Sequence, residues 1–214
     1  MFNISAFIAN IPALLVGFAV HEYAHAWTAD RLGDPTPRSQ GRLTLNPVVH
    51  LDIFGTLMAA LYQFGWAKPV QTQPHYFRGN KKLGQILVSF AGPFANFIFA
   101  FIAMFAWVLT IALIGDSSWT PTISQIFSAM VVLNLGLGVF NLLPIPPLDG
   151  FSVVKGFVPG RYYNVVRTIE NYGLFILVII LFTNFVGFVL RPAVYSLFTF
   201  FQNTAIFFLS PFFG

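Results

Sequence analysis

Residues 4–27 read ISAFIANIPALLVGFAVHEYAHAW. The run from Ile4 to Trp27 is long enough to cross a bilayer, since ~20 apolar residues span a ~30 Å hydrocarbon core. Near its far end it carries His21, Glu22 and His25. An ionisable residue at mid-span costs roughly 2.5–3.5 kcal/mol on insertion scales, so such residues in a membrane helix are functional by default. No basic segment precedes the run, and it leads into polar residues rather than a cleavage site. It therefore reads as a retained helix and not as a signal peptide.

The rest of the 214-residue chain is of the same kind, with 57% hydrophobic and only 8% charged residues. An average soluble domain carries roughly 25% charge, so a soluble globule is excluded. Intrinsic disorder is excluded for the opposite reason, because disordered chains are poor in apolar residues. The expected fold is an all-α polytopic membrane protein, a bundle of about four to six transmembrane helices. Residues 1–214 are expected to form a single domain, with a catalytic core over about 1–150 and C-terminal membrane helices over about 172–213. The absence of Cys excludes disulfides and thiolate metal sites. The net charge of +4 resides in loops between apolar runs, which points to topology and not to nucleic acid.

Further spans are expected at Leu83–Ile114, Ile123–Leu143 and Tyr172–Leu190. Ala193–Phe213 carries Gln202 and Asn203 and reads as a fifth span or an interfacial helix. Leu51–Phe64 is short enough to be re-entrant. On that reading, ten of the 11 basic residues fall on one side: seven between Thr28 and Lys82, and three between Pro144 and Asn171. Only Arg191 lies elsewhere, and the loop Gly115–Thr122 carries none. If Leu51–Phe64 spanned, four of the ten would cross and every later helix would invert. The positive-inside rule therefore favours re-entry and a cytoplasmic location for the basic loops. The stretch Gly65–Asn80 is polar and punctuated by Pro, and reads as loop or short strands.

His21 and His25 lie at i and i+4, so both imidazoles project from one helical face and can reach a single Zn²⁺. Glu22 points about 100° away. That suits a general base acting on a water at the metal, as in HExxH hydrolases. A hydrolytic zinc needs a third protein ligand. Soluble zincin spacings would require His at position 31, which is Arg31, and Glu170 is the only other Glu. Asp149 is the best candidate, since the charge-derived topology sets it at the membrane level of the two His; Asp52 is the runner-up. An ordinary Asp-Gly turn would explain Asp149-Gly150, but not a His pair left without a third ligand.

HEYAHAW, followed far downstream by NLLPIPPLDG, resembles the site-2 protease family of intramembrane zinc metalloproteases, in its compact prokaryotic branch without a PDZ domain. DRLGDPTPRSQGRLTLNPVVHLDIFGT, FGWAKPV and AGPFANF resemble the same branch. The resemblance implies one catalytic Zn²⁺ held by His21, His25 and Asp149, with Glu22 as the base. It also implies that Asn141 contacts substrate backbone or the developing oxyanion. Neither the PDZ module nor the extra leading helix of some relatives is seen.

Asn134, Gly138 and Asn141 form a small and polar stripe, and Gly92, Pro93 and Asn96 a similar patch. Helix packing explains such residues as readily as function does for Asn96 and Asn134. Asn141, nearest the Pro break, is favoured as functional, and Asn96 is carried with it as a substrate-binding candidate. His50 and His75 are left without a role. The expected partners are a single-pass membrane-protein substrate and the lipid bilayer, with no nucleic acid and with room for a homo-oligomer. The expected location is the cell membrane, multi-pass, with the active site toward the cytoplasm. The rival reading is a metal or proton transporter that uses the same His and Asp residues.

Overall fold

The computed structural model describes residues 4–52, 54–55 and 66–212. Nine helices are labelled here: α1 (Ile4–Arg31), α2 (Thr36–Ser39), α3 (Pro47–His50), α4 (Lys81–Ile114), α5 (Thr120–Asn141), α6 (Asp149–Phe157), α7 (Tyr163–Asn171), α8 (Gly173–Leu181) and α9 (Phe185–Leu209). The chain is an all-α polytopic membrane protein. Among the described residues, α4, α5 and the stretch Phe185–Phe212 are long and apolar enough to cross a membrane. α1, 28 residues long, packs against α4 and α5.

Local sequence sets the helix ends. The Asn80 side chain accepts from Leu83 N at 3.1 Å and caps α4. Gly115, at φ 58°, closes it in a left-handed conformation that a side chain would resist. Inside the bundle, small residues let the helices approach, as expected where lipid removes the hydrophobic drive. A Cβ on Gly138 of α5 would stand 2.5 Å from the Phe97 ring of α4.

Packing partners give the helix directions. His21 meets Asn96 and His25 meets Val88, so α1 and α4 are antiparallel. Asn96 meets Asn134, and Trp107 meets Ser124, so α4 and α5 are antiparallel too. Phe101 packs on Phe201, Phe105 on Phe208 and Trp107 on Phe198, which sets α9 against α4. α4, α5 and α9 enclose a core of Ala100, Met104, Val131, Leu135, Phe201 and Ala205, and α1 packs on α4 and α5.

The C-terminal expectation is corrected. Tyr172–Leu190 is not one span, because the chain breaks at Phe182–Asn184, where Thr183 Oγ1 donates to Ile180 O at 2.6 Å. α7 and α8 instead form a pair bent by 56°. α8 packs through Leu177 on Leu143, Ile145 and Leu148, with Val189 of α9 in the same cluster. α9 then continues through Arg191 and Pro192, as membrane helices do when neighbours compensate a Pro. The described part of Ala193–Phe213 lies within Phe185–Phe212, which is long and apolar enough to span and begins eight residues earlier than expected.

Most of the expected re-entrant segment Leu51–Phe64 falls outside the described residues. Residues 66–80 take the loop form expected for this stretch, with a short 3₁₀ turn at Pro74–Tyr76 and, among the described residues, one isolated antiparallel bridge, Leu51 to Ala67. Lys68 N donates to His50 O at 2.8 Å. The Arg42 guanidinium donates to Val49 O and Lys68 O. Arg78 N donates to Leu32 O at 2.8 Å, and buried Asp34 accepts from Thr36 N and Gln73 N. These bonds hold the loop against the end of α1 that carries the two His.

Candidate metal centre

α5 ends at Asn141, and the corner 142–148 is closed by short backbone bonds, Ile145 N to Leu143 O at 2.8 Å and Leu148 N to Ile145 O at 2.9 Å. α6 then opens at Asp149. The next residue must be Gly, because a Cβ on Gly150 would stand 2.2 Å from Leu142 O. This corner delivers the Asp149 carboxylate to the His pair on α1.

Asp149 Oδ2 lies 3.0 Å from His21 Nε2 and 3.3 Å from His25 Nε2. The two Nε2 atoms are 3.0 Å apart. Ligand atoms placed ~2.0 Å from a tetrahedral centre stand ~3.3 Å from one another, so the three atoms form the triangular face of a zinc-sized tetrahedron. Among the described residues, this is the one group of three His, Asp or Glu side chains with that convergence. Two imidazoles and a carboxylate, with no thiolate, are the ligand set of a hydrolytic zinc.

The second ring nitrogens are held as metal-bound His rings require. His25 Nδ1 is 2.7 Å from Val88 O. A carbonyl only accepts, so Nδ1 carries the proton and Nε2 is free to ligate. His21 Nδ1 is 2.7 Å from Asn96 Oδ1. The surroundings leave little slack: a Cβ on Gly92 would stand 2.5 Å from His25 Nε2 and 2.7 Å from His21 Cε1. Asp149 lies beyond the end of α5, outside the spanning helices.

Glu22 is buried beside the His pair, and its Oε2 accepts from Val70 N at 2.8 Å. Asp52, the runner-up ligand, lies outside the group; its Oδ1 accepts from Gly55 N at 2.8 Å. Asn141 turns its Nδ2 back to Leu137 O at 3.0 Å. Asn96, expected to touch substrate, is fully buried and bonded to His21, Gly17 and Asn134. His50 is buried with Nε2 on Thr44 O, and His75 stacks on Tyr76, so neither joins the group. Sequence reasoning missed Val70 and Val88, which act through backbone atoms. It registered Gly92 only as part of a small-residue patch.

Fold and site together define a helical membrane protein with a His₂–carboxylate centre. The chain belongs to peptidase family M50, which it matches over residues 9–115 and 108–183, and with it to the site-2 protease family that its motifs resemble. It is similar to "Putative zinc metalloprotease YwhC" of Bacillus subtilis (strain 168), 41% identical over 85% of this chain and 84% of that one. It is also similar to "Putative zinc metalloprotease Rip2" of Mycolicibacterium smegmatis, 30% identical over 84% of this chain and 69% of that one. No solved structure matches the chain.

Proposed function

We propose that this M50 peptidase is an intramembrane zinc endopeptidase. It hydrolyses a peptide bond within or near a transmembrane segment of another, single-pass membrane protein. The observation that carries the reading is the meeting of His21, His25 and Asp149 within 3.3 Å, with Glu22 on the adjoining face of the same helix. His21, His25 and Asp149 would hold one zinc. When bound, the metal supplies a water of lowered pKa and polarises the scissile carbonyl. Glu22 would be the general base toward an attacking water and would return the proton to the leaving amine. The Val70 N–H holds the Glu22 carboxylate in place for this transfer.

Asn141, at the end of α5, serves substrate backbone or the developing oxyanion. A helical substrate hides its carbonyls in i→i−4 bonds and must unwind first. The loop 66–80 offers extended backbone on which such a segment can lie. Ten of the 11 Lys and Arg fall in the two loop segments 28–82 and 144–171, which supports a multi-pass cell-membrane protein with its active site toward the cytoplasm. Residues 1–214 act as one domain.

The test compares zinc content and cleavage of a candidate membrane substrate between wild type and Glu22→Gln. The reading expects Glu22→Gln to keep zinc and lose cleavage. A Gln variant that keeps zinc and cleaves at the wild-type rate sinks it.

A further inference from the structure

We propose that Asn96, itself oriented by Asn134, is a positioning residue that sets the tautomer of His21. Its amide keeps the ring proton on Nδ1, so that Nε2 faces the metal position with a free lone pair. The inference rests on the zinc reading above but concerns groups that touch no substrate.

The argument starts at a fixed point. Asn134 Nδ2 lies 2.8 Å from Met130 O. A backbone carbonyl only accepts, so the Asn134 NH₂ must point there and its Oδ1 must point away. That Oδ1 lies 2.9 Å from the Asn96 amide nitrogen. The same nitrogen lies 3.0 Å from Gly17 O, a second pure acceptor. Two acceptors on one side require the Asn96 NH₂ between them, and its Oδ1 is thereby turned to His21 Nδ1 at 2.7 Å. Only a protonated Nδ1 fits that oxygen, so of the two neutral tautomers the ring is held in the Nδ1–H form, with its lone pair on Nε2.

The relay therefore runs from Met130 of α5 through Asn134 and Asn96 to His21 of α1, and α4 supplies its middle link. Asn96 and Asn134 are both fully buried, and both Asn96 N–H groups and its oxygen are engaged within the protein. A substrate role for Asn96 would require breaking this set. His25 reaches the same state by a simpler route, through the backbone carbonyl of Val88. At His21 the neighbouring helix presents a side chain, so the proton position depends on that side chain's orientation.

The test uses the full chain in detergent at mildly alkaline pH, with ¹⁵N-labelled histidine and His21→Ala to assign the His21 signals. Metal-free wild type should show His21 protonated at Nδ1. Asn96→Leu should shift His21 toward the Nε2–H form and weaken zinc binding, measured by chelator competition, by about 10–100-fold. Asn134→Ala frees the Asn96 amide to turn and should move both readouts the same way by a smaller amount; it carries the test if Asn96→Leu does not fold. An Nε2–H tautomer in metal-free wild type overturns the proposal. So does a folded Asn96→Leu that keeps the Nδ1–H signal and wild-type zinc affinity. Wild type that shows the Nδ1–H signal but binds no zinc sinks the metal reading and leaves the relay standing.

Discussion

Gly92→Ala adds one methyl group at the most crowded point of the site. The new Cβ would lie 2.5 Å from His25 Nε2, 2.6 Å from His25 Cε1 and 2.7 Å from His21 Cε1. Ordinary contact begins at 3.4 Å, so 3.4 − 2.5 leaves ~0.9 Å of displacement to be absorbed. Either α4 moves away from α1, or the imidazoles rotate. α4 carries Val88 and Asn96, which bond to the Nδ1 atoms of both rings, so either response disturbs the ligands. Zinc–ligand distances tolerate about 0.2 Å, several times less than the required shift. The loss should exceed the 10–100-fold typical of an outer-shell change. Chelator competition on the detergent-purified protein measures it, with circular dichroism to verify that the helices persist. A folded Gly92→Ala protein with wild-type zinc affinity would refute the geometry on which this reasoning stands.

Val70→Pro removes the N–H that holds Glu22, which is worth about 1.5–3 kcal/mol for a charged acceptor. Zinc content should not change, and kcat/KM should fall about 10–100-fold; an unchanged rate would free Glu22 of this contact. Leu177→Ala hollows the cluster beneath the corner that presents Asp149. It should cost about 2–5 kcal/mol, read as a lower Tm of thermal unfolding.

Much of the site could be read from the sequence because its chemistry is local. The pair His21 and His25 needs only helical spacing, and Glu22 follows from it. Asp149 required topology, and counting Lys and Arg supplied that. The span boundaries near the C-terminus were harder to read. Hydropathy is continuous through Phe182–Asn184, so the break there is marked only by the polar pair Thr183-Asn184. Pro192 looks like a break, but a membrane helix tolerates Pro where neighbouring helices compensate.

The partners of Asn96 depend on the register between three helices, which no pattern within one helix reveals. Val70 and Val88 contribute backbone atoms, and a side-chain motif cannot announce those.

The central claim is that His21 and His25, far from Asp149 in sequence, hold one metal together with it. X-ray absorption at the zinc edge on purified wild type and Asp149→Ala tests it. Wild type should carry one zinc with two imidazole nitrogens and carboxylate oxygen at ~2.0–2.2 Å, and Asp149→Ala should lose the metal or the carboxylate contribution. A wild type that binds no zinc, or an Asp149→Ala spectrum identical to wild type, would contradict the claim.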